Sequence, residues 1–458
     1  MFEDTIVAVA TPPGRGGIAV LRLSGPDALE IARACVRNGE RLGEEPNRAV
    51  VTDLADPARP GEALDQGIAT WFRGPKSYTG EDVVEIAIHG SPVIVDAGLG
   101  ALLAAGARPA TPGEFTLRAF LNGRLDLTQA EAVRDLVNAQ TGHQARLAQR
   151  QLRGELSQRL LPLKERLLSL IVQLESTVEF VEDDIEPEGR SALCAELSAA
   201  AAELAALTSS YRLGRLVVDG FGVALVGRPN AGKSSLFNQL VRSERAIVTA
   251  TPGTTRDLVS EPIDLDGIPV RLVDTAGLRE TEDEVERIGV GRTRTAIADA
   301  DVVLVVIDGV GDSVEAVRTL LDETEGSARV VAINKLDLGD PDPSLGATVE
   351  AFGIVPVRVS ALTGEGIVDV RREVVGIIGG GQALESSGLL VTNARHFELL
   401  VRASGGLASA SESLSAGFSE EIALVGLHES LRCLGELTGE TVIDDILGRI
   451  FSTFCIGK

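Results

Sequence analysis

The period of hydrophobic positions changes twice along the chain. From residue 1 to about 120, short apolar or alternating runs at Thr5–Ala10, Ile18–Leu23, Gly67–Phe72 and Val83–Ile88 are cut by turn signals. The signals are Pro12-Pro13-Gly14, Ser24-Gly25-Pro26, Gly74-Pro75 and Thr79-Gly80. This pattern predicts strands in a mixed α/β region. From about 121 the period becomes helical. Thr128-Gln129-Ala130-Glu131 reads as a capping box ahead of an apolar face. Leu152, Leu156, Leu160, Leu163, Leu167, Leu170 and Leu174 then recur at steps of three and four, the core stripe of a helical bundle. Pro162 within that stripe predicts a kink or a fresh helix start. The acidic run Glu182-Asp183-Asp184-Ile185-Glu186 reads as a solvated bend.

From Gly222 to about 378, strands alternate with helices, which predicts a parallel sheet with crossover helices. Gly379-Gly380-Gly381 marks a linker. The remainder returns to helix, with Val442, Ile446 and Ile450 on one stripe and Ile443, Leu447 and Phe451 beside it. Neither helical piece is large enough to form a domain alone. The expected fold is therefore α/β and α: an N-terminal α/β domain (1–120), a helical bundle made of two chain segments (121–217 and 380–458), and an α/β domain (218–379) inserted between them.

Composition narrows the class. A chain of 458 residues suggests roughly three domains. With 44% hydrophobic and 24% charged residues it is not a mainly disordered chain. The net charge of −24 excludes a uniformly basic nucleic-acid coat but not a local basic site. The longest run of Val, Ile and Leu, Val302–Ile307, is far too short to span a bilayer. The start, Met1-Phe2-Glu3-Asp4, lacks the positive head of a secretory signal. Cys35, Cys194, Cys433 and Cys455 are scattered and form no CxxC. No membrane association and a reducing cytoplasm are the expectation. The histidines, His89, His143, His396 and His428, show no metal-ligand spacing.

The strongest motif is Gly227-Arg228-Pro229-Asn230-Ala231-Gly232-Lys233-Ser234, between the strand Val223–Val226 and the helical run Ser235–Leu240. It has the composition and setting of a phosphate-binding P-loop. Its glycines let backbone N–H groups turn towards phosphate oxygens, Lys233 reaches the β- and γ-phosphates, and Ser234 ligates Mg²⁺. Asp274-Thr275-Ala276-Gly277 ends a second strand; the Asp can hold the Mg²⁺ shell and the Gly277 N–H can sense the γ-phosphate. Asn334-Lys335-Leu336-Asp337 ends a third, and Asp337 can accept from N1–H and N2–H of guanine, a pattern adenine lacks. Ser360-Ala361-Leu362 follows the predicted strand Val355–Val359 and fits a loop backing the base. Order and spacing together predict a Ras-like GTPase. Gly253-Thr254-Thr255 lies where a first switch loop belongs, and Thr255 is assigned to Mg²⁺. Ras-like proteins place a Gln directly after the Asp-Thr-Ala-Gly motif. This chain has Leu278, which cannot orient water, so catalytic help must come from elsewhere.

The sequence closely resembles the MnmE (TrmE) family of tRNA-modification GTPases. The likeness is specific at Thr11-Pro12-Pro13-Gly14-Arg15-Gly16-Gly17, at Thr111-Pro112-Gly113-Glu114-Phe115 with Ala119 to Asp126, at the GTPase motifs, and at the terminal Phe454-Cys455-Ile456-Gly457-Lys458. The resemblance implies a K⁺-stimulated GTPase that works with the FAD-bearing flavoprotein MnmG in a hetero-oligomer. It implies that the pair installs a carboxymethylaminomethyl or aminomethyl group at C5 of the wobble uridine of certain tRNAs. The one-carbon donor is a tetrahydrofolate derivative, 5-formyl- or methylene-tetrahydrofolate, and the N-terminal domain forms a homodimer and binds the folate. On this resemblance, Asn230 is a K⁺ ligand and Thr249, Thr251 and Thr254 supply further oxygens. The nucleotide is lined by the P-loop to Ser235 and by the loop Thr249-Ala250-Thr251-Pro252-Gly253-Thr254-Thr255. Glu286 positions the attacking water. Arg22, Glu85, Arg124 and Lys458 hold the folate, and Cys455 is a candidate in the modification chemistry.

Read without the family, Arg22 on an apolar strand fits a structural ion pair, Glu286 an exposed helix carboxylate, and Cys455 a small apolar packer. Two other classes stay open from the sequence. An RNA-binding ribosome-assembly-type GTPase without one-carbon chemistry would carry an RNA module after the G domain. The leucine-spaced helical tail disfavours that class. The other is a purely regulatory switch.

Overall fold

The computed structural model describes residues 3–37, 39–59, 62–179, 187–243, 260–274, 297, 300–378, 390–441 and 444–457. The chain divides into two compact units. One comprises Met1–Val137, Ala148–Ala202 and Leu399–Lys458; the other comprises Asn138–Leu147 and Glu203–Glu398.

The first unit begins with β1 (Ile6–Val9), β2 (Gly16–Ser24), α1 (Ala28–Cys35), β3 (Ala49–Ala55), β4 (Ala63–Phe72), β5 (Val83–Gly90), α2 (Pro92–Ala104), β6 (Arg108–Pro109) and α3 (Glu114–Leu121). The sheet order is β3-β4-β5-β2-β1-β6. Alternate residues Leu21, Leu23, Leu54, Val84, Ile86 and Ile88 point to one face and pack on Ala28, Ile31 and Ala32 of α1 and on Ala101 and Leu102 of α2. The four predicted strands are present. The polar interruptions of β3 hid it, because only its alternate residues Thr52 and Leu54 are buried.

Helices follow: α4 (Leu127–Asn138), α5 (Gly142–Leu152), α6 (Glu155–Glu179), α7 (Pro187–Ser209) and α8 (Tyr211–Asp219). The capping box lies two residues earlier than the sequence pattern suggests. Asp126 Oδ1 accepts from the Gln129 N–H at 2.9 Å, and Gln129 Oε1 accepts from the Asp126 N–H at 2.9 Å. Thr128 and Glu131 are buried within the helix instead. Helix α6 runs unbroken through Pro162. Leu156 and Leu160 before the proline and Leu163, Leu167, Leu170 and Leu174 after it are all buried. Burial on both sides holds the register against the one lost backbone hydrogen bond. By length and composition alone, Gly189–Asp219 is apolar enough to cross a membrane, a test that core helices of soluble proteins also pass. The acidic run 182–186 and the linker 379–381 lie outside the described residues, as do Val442 and Ile443.

The second unit is built on β7 (Phe221–Val226), α9 (Lys233–Ser243), β8 (Ser260–Leu265), β9 (Ile268–Asp274), β10 (Val302–Asp308), α10 (Val314–Glu323), β11 (Arg329–Asn334), α11 (Pro343–Ala351), β12 (Val357–Arg358) and α12 (Ile367–Ile378). Strand β12 is shorter than the predicted Val355–Val359, because Val355 is exposed before the chain reaches the sheet. The order is β12-β11-β10-β7-β9-β8, parallel except for β8 against β9. Val223, Leu225, Leu304, Val306 and Ala332 face Leu236, Leu240, Val370 and Val374. Their neighbours Ala224, Val226, Val303, Val305 and Val331 face Val317, Leu321, Leu345 and Val349. Both sheet faces are covered, which is why its strands read as continuous apolar runs.

The last helices are α13 (Ala394–Ser415), α14 (Glu420–Thr438) and α15 (Asp444–Ser452). Within the first unit, Lys164 of α6 pairs with Glu440, Arg190 of α7 with Glu420, and the Cys194 thiol donates to the Ser411 carbonyl of α13. The two helical pieces thus pack together. The fold is α/β and α, with a doubly wound α/β unit lying in sequence between helical segments.

Candidate functional site

The connections reverse direction at β7, so the carboxyl ends of β7, β9, β10 and β11 form the crevice where such sheets bind ligands. The P-loop leaves β7 and enters α9 there, which aims a helix N-terminus into the crevice. Asn230 adopts φ +65° and Gly232 φ +95°. A Cβ on Gly232 would lie 2.1 Å from Asn334 Nδ2, so this position admits only glycine. Lys233 Nζ donates to the carbonyls of Gly227 and Arg228, each at 2.8 Å, and is held back across the loop. Ser234 Oγ donates to Asp274 Oδ2 at 2.9 Å. A hydroxyl and a buried carboxylate meeting at the loop form a hard oxygen donor set that suits Mg²⁺. Ser235 follows on the first turn of α9.

Asn334 ties the crevice together. Its Nδ2 donates to the Ala231 carbonyl and its Oδ1 accepts from the Ala361 N–H, both at 2.9 Å. One side chain therefore fixes the P-loop against the loop Ser360-Ala361-Leu362. Asp337 Oδ1 accepts from Ser360 Oγ at 2.6 Å, which orients the carboxylate. Lys335, at φ +74°, pairs with Asp308 Oδ2 at 2.6 Å. Burial would raise the Asp308 carboxyl, but Lys335 and the N–H groups of Val310 and Gly311 outweigh it and hold it below the usual range. No local motif marks Asp308. Its signal was positional, since it ends β10 directly opposite Asn334 at the end of β11. The residues Thr249, Ala250, Thr251, Pro252, Gly253, Thr254, Thr255, Thr275, Ala276, Gly277, Leu278 and Glu286 lie outside the described residues.

A second constellation lies on the first sheet. Arg22 and Glu85 stand directly opposite each other on β2 and β5. Arg22 Nε and Nη2 both reach Glu85 Oε1 at 2.8 Å. The ion pair expected for an arginine on this strand exists, and it does not exhaust the guanidinium. The Arg22 group lies 5.6 Å from the Tyr78 ring centroid and 5.8 Å from that of Phe115. Its Nη1 donates to the Gly457 carbonyl at 3.1 Å. The tail is thereby brought to the sheet, with Cys455 exposed and Lys458 outside the described residues. Arg124 lies at the same loop as Tyr78, since a Cβ on Gly80 would come 3.2 Å from Arg124 Cγ. Asn122 Nδ2 secures that loop by donating to the Thr79 carbonyl at 2.8 Å.

Beneath this surface is an ion cluster that the sequence reading missed. Arg118, wholly buried, pairs with Asp4 (2.7 Å), Glu81 (3.2 Å) and Glu114 (3.0 Å). Arg108 pairs with Glu114 (2.6 Å) and Asp4 (2.7 Å). Glu114 Oε2 also accepts from the N–H and hydroxyl of Thr111. Burial alone would raise the Glu114 carboxyl. The hydrogen bonds from Arg108, Thr111 and Arg118 bring it down to about 2. The sequence signal was the Glu114–Arg118 spacing of four on one helix. Among the described residues no cluster of three or more His, Cys, Asp or Glu could hold a metal.

Residues 5–124 match the family described as the N-terminus of the GTP-binding protein TrmE, and residues 127–455 match the family described as the MnmE helical domain. The curated protein from Koribacter versatilis named tRNA modification GTPase MnmE is 47% identical over the full length of both chains. Proteins of the same name from Symbiobacterium thermophilum and Aquifex aeolicus are 45% and 42% identical, again over the full length of both. Among solved structures, the G domain of the T. maritima FeoB iron transporter is 27% identical. It covers 34% of this chain and 98% of its own, with a TM-score of 0.27.

Proposed function

Because the chain belongs to the MnmE family of tRNA modification GTPases, we propose that it hydrolyses GTP to drive modification of the wobble uridine of certain tRNAs, together with an MnmG-type flavoprotein and a tetrahydrofolate one-carbon donor. The observation that carries the folate part is the Arg22–Glu85 pair on the open side of the sheet with the C-terminal tail drawn onto it. A guanidinium suits the glutamate-tail carboxylate of a folate, and a carboxylate suits the N–H edge of its pterin. The bound folate would supply the one-carbon unit. Arg22, Glu85, Arg124 and Lys458 would hold it, and Cys455 would stand at the mouth of the site.

In the nucleotide crevice, Asp337 would read the guanine N1–H and N2–H. Lys233 would exchange its two carbonyl partners for the β- and γ-phosphates. Ser234, Thr255 and Asp274 would hold Mg²⁺, which when bound neutralises phosphate charge. Asn230, with Thr249, Thr251 and Thr254, would hold K⁺, an ion that would supply positive charge where other GTPases use an arginine finger. Glu286 would position the attacking water. The same reading assigns residues 1–120 to a homodimerising folate domain, 121–217 and 380–458 to the helical domain and 218–379 to the G domain, in a cytoplasmic protein.

The test is reconstitution of the purified chain with the flavoprotein, unmodified tRNA, 5-formyltetrahydrofolate and GTP, followed by nucleoside analysis. A new aminomethyl-type uridine that requires all four components is expected. GTP turnover with unchanged nucleosides would favour the assembly-factor or switch class. In a phosphate-release assay, turnover is expected to be faster in K⁺ than in Na⁺. Glu286→Ala is expected to lower it by about two orders of magnitude, the usual weight of a water-positioning group, with GTP affinity retained. Equal rates in both salts would remove the role given to Asn230, and undiminished turnover in the variant would remove that of Glu286.

A further inference from the structure

The loop between β4 and β5, residues 73–82, sorts its charges by direction. Its two acids turn inwards. Glu81 is buried; it accepts from Ser24 Oγ at 2.7 Å and pairs with Arg118 at 3.2 Å. Asp82 Oδ1 accepts from the Gly74 N–H at 2.8 Å and closes the loop on itself. Buried Ser77 and Thr79 complete the winding: Ser77 Oγ donates to the Glu81 carbonyl, and the Thr79 carbonyl accepts from Asn122 Nδ2. The two cations of the loop, Arg73 and Lys76, are exposed. Exposed Arg124 joins them. A Cβ on Gly80 would lie 3.2 Å from Arg124 Cγ, and a Cβ on Gly74 would lie 2.8 Å from the Gly80 carbonyl oxygen. Among the described residues none of these three cations has an ion-pair partner. The same loop supplies Tyr78, whose ring centroid lies 5.6 Å from the Arg22 guanidinium and whose hydroxyl meets Thr116 Oγ1 at 2.8 Å.

We propose that Arg73, Lys76 and Arg124 form an anion subsite for the γ-glutamyl chain of a polyglutamylated folate, so that the protein prefers polyglutamate forms to the monoglutamate. This subsite rests on the folate reading above and narrows its substrate class. In a chain with a net charge of −24, an exposed group of cations without acids among them is a local exception. Both carboxylates of the loop are engaged by protein partners, and both of its cations are left to solvent. Such cations can receive a carboxylate without first giving up a protein partner. The hydrogen bonds within the loop fix the backbone that carries them, which lowers the ordering cost of binding. Each γ-linked glutamate leaves its α-carboxylate free, so every added residue brings one more anion. A chain that leaves a folate carboxylate at Arg22 passes Tyr78 and meets Arg124 and the cations of the same loop. A nucleic-acid backbone spreads its charges over a longer surface, for which three cations on one loop are few.

The experiment is isothermal titration of the full-length protein with 5-formyltetrahydrofolate as the monoglutamate and as the pentaglutamate, at low and at high KCl. The pentaglutamate is expected to bind roughly tenfold more tightly at low salt, the summed weight of a few exposed ion pairs. Most of that preference should vanish at high salt, where surface charges are screened. The double variant Arg73→Gln with Lys76→Gln should bind the monoglutamate as the parent does and lose most of the preference. Both positions are exposed, so the fold is retained. The exchange Arg73→Lys with Lys76→Arg keeps both charges and should keep the preference. Equal affinities of the parent for the two folates, or a preference unchanged in the double variant, would overturn the subsite and leave the folate reading in place. If neither folate binds the parent, the folate reading falls and the subsite with it. In a fluorescence-anisotropy titration the double variant should bind tRNA as the parent does. A loss of tRNA affinity without a loss of the folate preference would give these cations to the RNA backbone and overturn the subsite.

Discussion

Replacing Asp337 by Asn is expected to turn the nucleotide preference from guanine towards xanthine. Ser360 Oγ grips Oδ1 of the carboxylate, so the variant amide has a hydroxyl ready to donate to its oxygen and presents its NH₂ on the other side. Guanine offers donors at N1 and N2, and the NH₂ would face one of them. Xanthine offers N1–H and a C2 carbonyl, which an amide matches with one acceptor and one donor. Loss of the charge-assisted hydrogen bonds and the opposition of the amide NH₂ to a guanine donor together cost about 3–4 kcal/mol, a factor of a few hundred to a thousand in affinity. Isothermal titration with GTP, XTP and ATP gives the answer directly. GTP affinity within a few-fold of the parent's would show that Asp337 does not read the base. A uniform loss for all three would point to collapse of the Ser360 loop. Asn334→Ala would produce that uniform loss, since Asn334 joins the P-loop to the same loop.

How far the sequence revealed this crevice follows from the physics of each part. The P-loop was legible because backbone conformation dictates residue type: only glycine fits at 232, under the Asn334 side chain. Asp274, Asn334 and Ser360 were legible because each closes or follows an apolar run that could only be a buried strand. Asp308 was not, because its role depends on β10 lying next to β11, a neighbour relation that no local pattern encodes. The same limit hid the contact between Arg22 and Gly457, separated by 435 positions. The sequence pattern puts the capping box two residues late because Asp126 and Thr128 both open plausible boxes. Only the buried position of Thr128 decides between them. Of the two outcomes that Pro162 allows, a kink or a fresh start, the fresh start does not occur: a leucine stripe buried on both sides carries one helix through the proline.

Removing Glu114 or Arg118 is expected to destabilise the first unit more than any surface change. The cluster buries Arg118 completely and shares it among Asp4, Glu81 and Glu114. Breaking one partner leaves charge in a place water does not reach, which costs about 3–5 kcal/mol. Arg118→Met should be the more severe change, because it takes the arginine from buried Glu81 and leaves Asp4 and Glu114 to share Arg108, whereas Glu114→Ala leaves both arginines an acid. The pH dependence carries a definite sign. Glu114 has a folded value of about 2, below its ordinary 4.5. The folded state therefore binds the proton more weakly than the unfolded chain. The stabilisation is complete above pH 4.5 and drains away as the pH falls towards 2, a change of about 2–3 kcal/mol for this one group. Urea titrations monitored by Trp71 fluorescence at pH 7 and pH 3.5 separate the terms, since Trp71 is the chain's single tryptophan and packs in the core of this sheet. The parent should lose stability between the two pH values, and Glu114→Ala should lose distinctly less, having shed the group that titrates. If both lose the same amount, the depressed carboxyl belongs to another residue. If Glu114→Ala matches the parent at pH 7, the cluster does not hold the sheet and α3 together.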